Sequence, residues 1–440
     1  MTARESEIIS LIRKEVKPAL GCTEPIAVAL AVAKDMEIIE EKCNKCGTDW
    51  RFFDDYQLSI EVSGNILKNG MGVGIPGTGM VGLHIAAALG AVCGKSCYGL
   101  EVLHDLNEED VASAKSLVER DAVAVSLAET DLKLYVKASI ECDGHVSYAV
   151  IRNDHDSIVE TGFDGSALSL DGKPMPEDMQ EQKTTLDYGL TVKEILEFAS
   201  AVSYEDIKFI LESRTLNLAL ADEGMSGRYG LKVGFALRQE ANREVFGDDF
   251  LSYAMALTAA ASDARMAGCT LAAMSNSGSG NQGITVTMPV IAYSLRYGCS
   301  DEELARALVL SHLIAIHIKG YLGKLSALCG CVIASTGAAC GLVYLRGGDY
   351  GQICAAIKNM IGNITGMVCD GAKEGCAMKV ASGVSSALQS AVLAREGICI
   401  SEYDGIIEKD IEKTIRNLGR IGSVGMQHTD DMILDIMVCK

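Results

Sequence analysis

The segment from Ser326 to Gly383 constrains this chain most, because it combines cysteines with small and apolar residues. It begins SALCGCVIASTGAAC, ends GMVCDGAKEGCAMKVASG, and holds six of the sixteen cysteines: Cys329, Cys331, Cys340, Cys354, Cys369 and Cys376. Thiolates are soft ligands that suit iron–sulfur clusters, and glycine lets backbone N–H groups approach the sulfides. Buried structural thiols explain the composition about as well, since free cysteine is among the most buried residue types. The ligand spacings of common ferredoxins are absent, so both interpretations remain open.

The composition narrows the class of protein. The chain has 440 residues, of which 48% are hydrophobic and 22% charged, as expected for a globular protein of two or three domains. The net charge of −20, without any Lys/Arg-rich run, argues against nucleic acid and anionic membranes as partners. Sixteen cysteines without a predicted signal peptide indicate a reducing cytoplasm, where cysteines serve metals or catalysis. The longest apolar stretch, Leu308 to Leu345, is interrupted by His and Lys residues, which favours buried helices over a membrane span.

The N-terminal region predicts two helices with a cysteine between them. Residues 4–17 place apolar side chains on one face, and Pro18 ends that helix. Cys22 precedes Thr23, Glu24, Pro25 and the apolar run IAVALAVA, so we expect Thr23 to cap a second helix with Pro25 in its first turn. The N–H groups at a helix start favour a thiolate, although a small buried residue is the plainer interpretation of Cys22.

The next region predicts an α/β domain. Residues 56–64 and 132–152 alternate as strands do, and Asp143–Gly144 between two such runs predicts a hairpin. A Gly-rich run, GVGIPGTGMVG, leads into an apolar helix. It can bind an anion through its N–H groups or form a tight turn, but it lacks the lysine of a P-loop. A further helix is predicted over Glu108–Glu119, and the polar run SLDGKPMPEDMQEQK is the predicted linker.

From Thr191 onward the chain is predicted to be helical. Thr191 with Glu194, and Ser300 with Glu303, have the spacing of capping boxes. An Ala-rich helix is followed by SNSGSGNQG, whose N–H and OH groups can donate to one carboxylate, although a flexible loop has the same composition. His312 and His317 lie in an apolar helix pattern, which is more typical of core histidines than of ligands.

Four blocks carry a family resemblance. They are LGCTEPIAVALA, SNSGSGNQGI, KLSALCGC and CDGAKEGCAMKVASG, in that order along the chain. Together they resemble the L-cysteine desulfidase family, oxygen-sensitive relatives of the bacterial iron–sulfur L-serine dehydratases. The similarity extends from the first helix to the last thirty residues. It implies a 4Fe–4S cluster held by three cysteines, which Cys329, Cys369 and Cys376 match, and leaves Cys331 and Cys340 as packing or neighbouring thiols.

The resemblance also implies a reaction, the breakdown of L-cysteine to pyruvate, ammonia and sulfide. An iron with an open position acts as a Lewis acid on the substrate carboxylate and the departing sulfur, and Cys22 is the expected base for the Cα proton. The Gly-rich loop is expected to form a wall of the substrate pocket. The expected substrate-binding residues are Thr23, Glu24, Ser275, Asn276, Ser277, Gly278, Ser279, Asn281, Lys324 and Lys373. Lys324, Asp370 and Lys373 flank cluster cysteines and are either supporting groups or ordinary surface charges.

Three other functions fit parts of the pattern. L-serine dehydration uses the same cluster with hydroxide as the leaving group. A non-catalytic sensor of amino acids or clusters would lack a ligand or the base, and neither is missing. A pyridoxal-phosphate lyase performs similar chemistry through a lysine, but the cysteine spacing has no role in that scheme.

The predicted fold class is therefore α+β, with a small mixed sheet followed by a mostly helical cluster-binding domain. The expected domains are N-terminal helices packing at the active site (1–48), an α/β domain (49–190) and a helical catalytic domain (191–440). We expect a cytoplasmic homodimer with an amino-acid substrate. Cys43 and Cys46 favour a solvated loop over a redox or zinc motif. Cys439 is either an incidental tail thiol or, as in some related serine dehydratases, a fourth ligand that substrate displaces.

Overall fold

The structure, a computed structural model, describes residues 2–45, 56–168, 187–323 and 326–439. A small mixed sheet lies in the first half of the chain and helices fill the second, which confirms the predicted α+β class. The chain folds as two compact units. The helical unit contains the described residues of Met1–Pro18, Lys183–Asp370 and Glu374–Ile433. The sheet unit contains those of Ala19–Gln182, Gly371–Lys373 and Leu434–Lys440. The domain boundaries expected from the sequence stay a prediction.

Helix α1, Ala3–Glu15, begins at a complete capping box between Thr2 and Glu5. Its apolar face buries Ile8 and Ile12 in the core of the helical unit, as the 3.6-residue pattern predicts.

The segments between α1 and the predicted linker follow in a simple order. They are β1 (Pro18–Leu20), α2 (Thr23–Lys45), β2 (Gln57–Val62), α3 (Gly64–Gly70), α4 (Leu83–Cys93), α5 (Glu108–Glu119), β3 (Val123–Leu127), β4 (Tyr135–Cys142), β5 (His145–Arg152), β6 (Ile158–Phe163) and β7 (Ser166–Leu168). The six-stranded sheet has the order β3–β2–β4–β5–β6–β7. Strands β2 and β3 are parallel, and the other neighbours are antiparallel. The whole predicted linker run, residues 169–183, lies outside the described residues.

The hairpin predicted at Asp143–Gly144 is confirmed. Strands β4 and β5 pair in register with Cys142 opposite His145. Asp143 and Gly144 both have positive φ, 49° and 79°, which is the backbone of the two-residue turn that matches strand twist. Alternate residues of β4 are buried, so one face of the sheet is covered.

The helical unit continues from the predicted linker. Its elements are α6 (Val192–Ala201), α7 (Tyr204–Ile207), α8 (Glu212–Met225), α9 (Val233–Leu237), α10 (Phe250–Met266), β8 (Ala272–Met274), α11 (Gly280–Tyr297), α12 (Asp301–Leu322), α13 (Gly330–Leu345), α14 (Tyr350–Ile364), α15 (Cys376–Arg395) and α16 (Ile411–Arg420). Helix α17, Gln427–Val438, ends the chain's regular structure. Among the described residues, no helix combines the length and apolar character that crossing a membrane requires.

Helix α13 lies at the centre of this unit and packs against α11, α12, α14 and α15. Close packing explains its small residues. A Cβ atom on Gly337 would overlap the carbonyl oxygen of Ser311 in α12, and one on Gly341 would overlap the Ser311 side chain. Glycine therefore lets the two helix backbones approach each other.

The predicted helix caps differ in outcome. Ser300 and Glu303 form a complete capping box. Thr191 accepts the Glu194 N–H, but the Glu194 carboxylate instead pairs with Arg4, 2.7 Å away. A distant partner in the fold has replaced the local one.

Candidate active site around the cysteine loops

Two loops bring Cys329 and Cys369 together in the helical unit. The Cys329 N–H donates to the Met367 carbonyl at 3.0 Å, and the Cys369 N–H donates to the Ala327 carbonyl at 2.7 Å. The two segments thus pair like short antiparallel strands. Hydrogen bonding to the Cys369 side chain, followed by burial, raises the pKa of the Cys329 thiol well above its usual range. Two of the three predicted ligands are therefore neighbours.

Cys376 and Cys331 lie on the helices that follow these loops. Cys376 is the first residue of α15, where the N–H groups of a helix start favour a thiolate. Cys331 is in α13, and its thiol donates to the Lys379 carbonyl at 3.2 Å. Burial, then the neighbouring Cys376, raises the pKa of Cys331 to about 12. Cys331 is thus used for packing α13 against α15, where a side chain at Gly383 would overlap its sulfur.

Lys379 supplies a positive charge to the two loops that carry Cys329 and Cys369, which are called the cysteine loops below. Its Nζ donates to the Val368 carbonyl at 2.8 Å and to the Asp370 carboxylate. Burial lowers the pKa of Lys379, but the hydrogen bond to Asp370 and the nearby Cys329 and Cys369 outweigh burial and raise it. The ammonium therefore stays charged beside the thiols. The supporting roles expected for Lys324 and Lys373 stay predictions: Lys373 belongs to the sheet unit, where it bridges to Gly72, and Lys324 is not among the described residues.

The donor set fits a cluster better than a single ion. Across the described ranges, no group of three His, Cys, Asp or Glu side chains is placed to hold one metal ion. A single zinc ion needs all its sulfur ligands about 2.3 Å from one point, whereas the cysteines of a four-iron cluster bind separate iron atoms. The cysteine loops offer soft thiols among apolar side chains, including Val332, Val380 and Met367. Cys329, Cys369 and Cys376 stay the predicted ligands of such a cluster.

The SNSGSGNQG segment forms a tight turn followed by a helix cap. Ser277 and Gly278 have positive φ, 49° and 77°, and the backbone groups of Asn276 and Ser279 bond to each other on either side. Ser279 then accepts the Gln282 N–H at the start of α11. Ser275 donates its hydroxyl to the Lys17 carbonyl at 2.6 Å. Much of this polar segment therefore serves its own fold.

A buried network extends from Asn276. Its Oδ1 accepts from Ser277 Oγ at 3.0 Å and from Gln282 Nε2 at 2.6 Å. Its Nδ2 donates to His312 Nδ1 at 2.9 Å. Burial lowers the pKa of His312 to about 3, so the imidazole is neutral. His317 lies apart from this network and bonds to Glu412 at 2.8 Å.

Gln282 connects the polar network to the cysteine loops. Its Oε1 atom lies 3.2 Å from the position that a Cβ atom on Gly330 would take. Gly330 stands between Cys329 and Cys331, and a methyl group there would meet the amide oxygen at a closer distance than side chains usually adopt. The polar segment and the cysteine segment are thus one neighbourhood of the helical unit.

A buried arginine contacts the SNSGSGNQG segment, residues 275–283, which is called the polar turn below. Arg265 in α10 is 2% exposed and donates to Asn281 Oδ1 at 3.2 Å. Asp263, on the same helix, accepts the Gly234 N–H at 2.9 Å, and burial raises its pKa to about 6. The expected substrate-binding role of Asn281 remains a prediction, since its side chain already bonds to Arg265.

Sequence reasoning did not single out four of these residues as functional: Arg265, Gln282, His312 and Lys379. Two sequence features mark such residues: Arg265 is a charged residue inside an Ala-rich helix, and His312 is a histidine inside an apolar helix. His312 was predicted to be a core histidine. Its burial agrees with that prediction, and its bond to Asn276 adds a link to the polar turn.

Cys22 lies in the sheet unit, with its own local partners. Its thiol donates to Glu24 Oε2 at 3.2 Å, and the Thr23 hydroxyl donates to the same oxygen at 3.1 Å. Helix α2 begins at Thr23, and the Cys22 carbonyl accepts the Ile26 N–H at 3.2 Å. The cap position therefore belongs to Cys22 and not to Thr23, which the sequence pattern had favoured. The expected roles of Cys22, Thr23 and Glu24 stay predictions.

The turn before Cys22 packs against the Gly-rich loop of the same unit. Gly21 has a φ of 69°, and a Cβ atom there would lie 2.9 Å from Pro76. Within that loop the Thr78 hydroxyl donates to the Ile75 carbonyl at 2.8 Å. The loop is a self-bonded turn, and its expected role as a pocket wall remains a prediction.

Two further predictions concern cysteines outside the candidate site. The solvated loop predicted for Cys43 and Cys46 is wrong at Cys43, which is buried within helix α2, because the helix continues to Lys45; Cys46 lies outside the described residues. Cys439 is exposed, and its N–H continues the last helix by donating to the Asp435 carbonyl at 3.1 Å.

Comparison with known proteins decides the family. The family model described as serine dehydratase alpha chain matches residues 97–435, which include the polar turn and all the cysteine loops. The chain belongs to the serine dehydratase alpha-chain family. Members of this family are generally iron–sulfur dependent, and membership indicates a lyase-type, serine dehydratase-like enzyme.

Relatives align along nearly the whole chain. A protein named UPF0597 protein from Oleidesulfovibrio alaskensis is 49% identical over 436 residues, covering 99% of this chain and 98% of its own length. A protein of the same name from Phocaeicola vulgatus is 47% identical over 438 residues, with 99% and 97% covered. Another from Aeromonas hydrophila is 43% identical over 440 residues, with 100% and 98% covered. These names state no substrate.

Proposed function

We propose that this chain is an L-cysteine desulfidase, which degrades L-cysteine to pyruvate, ammonia and sulfide. The observation that carries the proposal is the pairing of Cys329 with Cys369 among apolar side chains beside Lys379. The four sequence blocks that resemble the desulfidases support the choice of substrate. Membership of an iron–sulfur-dependent family supports the cofactor.

Cys329, Cys369 and Cys376 would hold a 4Fe–4S cluster. When bound, such a cluster supplies a Lewis-acidic iron for the substrate carboxylate and the leaving sulfur. Lys379 keeps its charge beside these cysteines and stabilises their thiolate forms by Coulomb attraction. The same ammonium fixes the second loop through the Val368 carbonyl and Asp370.

Removal of the Cα proton requires a base, and we assign it to Cys22. The family's LGCTEPIAVALA block supports this assignment. Glu24 accepts a hydrogen bond from the Cys22 thiol, which holds the sulfur in a fixed orientation. Thr23 donates to the same carboxylate and keeps it oriented. We keep Lys373 and the residues of the polar turn, Ser275, Asn276, Ser277, Gly278, Ser279 and Asn281, as candidates for substrate binding.

L-serine dehydration is the second candidate. The family description, serine dehydratase alpha chain, favours it. Both reactions remove the same proton and expel a β-substituent, so they share the cysteines and the base. They differ in whether thiol or hydroxyl leaves.

One pair of assays tests both candidates. Protein purified without oxygen should be brown and contain about four irons per chain. Sulfide release from L-cysteine and pyruvate release from L-serine should then be compared at equal enzyme. A higher kcat/KM for L-cysteine supports the desulfidase; a higher value for L-serine replaces it with the dehydratase. Absence of both products from iron-loaded protein would refute the proposed function.

We further propose a cytoplasmic homodimer, by analogy with the relatives and from the cysteine content. Light scattering on the anaerobic protein should give twice the chain mass of 46.7 kDa. A mass of one chain would refute the dimer.

A further inference from the structure

The polar turn leaves few groups available to a ligand. Ser275 donates to Lys17, and Asn281 accepts from Arg265. Asn276 uses both ends of its amide, toward Gln282 and Ser277 on one side and His312 on the other. The residues that look most suited to substrate binding in the sequence are therefore already bonded to the protein.

Two buried atoms next to this turn remain unsatisfied. Gln282 Oε1 and His312 Nε2 are inaccessible to solvent and have no hydrogen-bond partner among the described residues. Gln282 is 2% exposed and His312 is 0% exposed. Buried polar atoms without partners are unfavourable and rare, so each such atom calls for a ligand or an ordered water.

The network determines the orientation of both side chains. Gln282 must direct its NH2 group at Asn276 Oδ1, which leaves its carbonyl oxygen as the free end. Asn276 Nδ2 is a donor, so His312 Nδ1 must accept and the ring proton must be on Nε2. The unsatisfied pair is thus one acceptor on Gln282 and one donor on His312.

The Gln282 acceptor lies beside the first cysteine loop. It faces Gly330 at 3.2 Å from the ideal Cβ position, between Cys329 and Cys331. A carbonyl oxygen attracts a donor and repels a carboxylate. Among the groups of an α-amino acid, the ammonium offers three donors and a positive charge, so it is the best match for this acceptor.

We propose that Gln282 Oε1 binds the α-ammonium group of the amino-acid substrate, with Asn276 and His312 as positioning residues that hold the Gln282 amide. This inference rests on the proposed function, because it takes an amino acid as the ligand. It makes Gln282 the residue that distinguishes amino acids from acids without the amino group.

The test compares two small ligands that cannot react. L-alanine and propionate differ by the ammonium group, and the dissociation constant of each can be measured directly by titration calorimetry on the iron-loaded protein, whether or not it turns over substrate. A hydrogen bond to a charged group corresponds to about a 10- to 100-fold difference in affinity. Wild-type protein should therefore prefer L-alanine by about that factor. Gln282→Leu should lose this preference by weakening L-alanine alone. Gln389→Leu, on the exposed face of α15, is the matched control and should keep the preference.

Variants of His312 distinguish a role in positioning the Gln282 amide from a general role in stabilising the fold. His312→Asn keeps an acceptor near the Nδ1 position and should retain most of the preference for L-alanine. His312→Leu removes that acceptor, releases Asn276 and should lower the preference toward that of Gln282→Leu.

Three results would overturn the inference. If wild-type protein binds L-alanine and propionate about equally well, the inference is wrong, and this result does not depend on whether any variant folds. An unchanged preference in Gln282→Leu indicates that Oε1 meets only water. Equal weakening of L-alanine and propionate indicates a structural role. Loss of the proposed function is a separate result: a protein that selects L-alanine but releases neither sulfide nor pyruvate would refute the reaction and keep the ammonium site.

Discussion

The two regions of helix α13 use the same residue types for different purposes. At its start, Cys329, Gly330 and Cys331 meet polar and charged neighbours, among them Gln282 and Lys379. In its middle, Gly337 and Gly341 meet the backbone and side chains of α11 and α12, and Cys340 lies near Cys354 of α14. Apart from the half-buried Gly330, both regions are buried.

The contrast shows that neighbours, and not residue type, decide what a cysteine or glycine does. Burial, and to a smaller extent the neighbouring Cys354, raises the pKa of Cys340. Cys329 instead contacts a second thiol and lies near an ammonium. Glycine makes room for a packed helix in the middle of α13 and for an amide oxygen at its start. Substitutions in the two regions should therefore have different consequences.

The largest difference should come from removing one thiol in each region. Cys329→Ala should lose iron and more than about 100-fold of turnover, because the proposed cluster loses a ligand. Cys340→Ala should keep its iron and lose about 1–2 kcal/mol of unfolding free energy through a small cavity. The iron content of each purified variant and its chemical denaturation under nitrogen measure the loss of iron and the loss of unfolding free energy. Full iron in Cys329→Ala would end the ligand assignment.

Acid should destabilise the protein through the polar network near the start of α13. Burial lowers the folded pKa of His312 to about 3 from the ordinary value of 6.5. Below pH 6.5 the unfolded chain binds a proton that the folded chain does not, so stability is complete above pH 6.5 and falls as pH decreases toward 3. The largest loss of unfolding free energy that this pKa difference can cause is about 4–5 kcal/mol.

His312→Gln should remove this contribution, so that its unfolding free energy falls less than the wild-type value between pH 6.5 and 4. His104→Gln, at an exposed histidine, serves as the control and should follow wild type. Parallel curves for His312→Gln and wild type would show that His312 does not resist protonation in the fold.

Lys379→Met should weaken the cysteine loops without removing a ligand. Loss of the ammonium removes the hydrogen bonds that Lys379 donates to the Val368 carbonyl and to Asp370. Iron retention against a chelator should fall by about 10- to 100-fold, as for other groups that support metal ligands. Lys413→Met, at an exposed lysine, provides the comparison. Equal iron retention in both variants would remove Lys379 from the site.

The smallest effects should separate the glycines. Gly337→Ala should cost about 1–3 kcal/mol of unfolding free energy, since the new methyl group overlaps Ser311. Gly330→Ala should cost less stability but weaken L-alanine binding, because its methyl group presses on Gln282 Oε1 at 3.2 Å. Gly351→Ala, which meets an ordinary contact of 3.4 Å, should be neutral or gain up to about 1 kcal/mol from helix propensity. Identical denaturation midpoints for all three variants would contradict the packing argument.

Local chemistry made much of the fold predictable. The α+β class, the Asp143–Gly144 hairpin, the helix over Glu108–Glu119 and the Ser300 capping box all follow from short stretches of sequence. Turn residues and caps act over two to four residues, so both partners of each interaction are visible in one short stretch. The family was equally visible, since its blocks are contiguous.

The site depended on contacts that no short stretch contains. The sequence indicated that SNSGSGNQG is polar, but only the tertiary structure decided that Ser275 bonds to Lys17 and Asn276 to His312. Those bonds leave the Gln282 carbonyl as the open acceptor. Lys379 lies only nine residues from Asp370 and eleven from Val368, but its bonds to them depend on how the second cysteine loop folds back on α15. A side chain's hydrogen-bond partners depend on which backbones the whole fold brings within about 3 Å, and sequence separation carries no information about that distance.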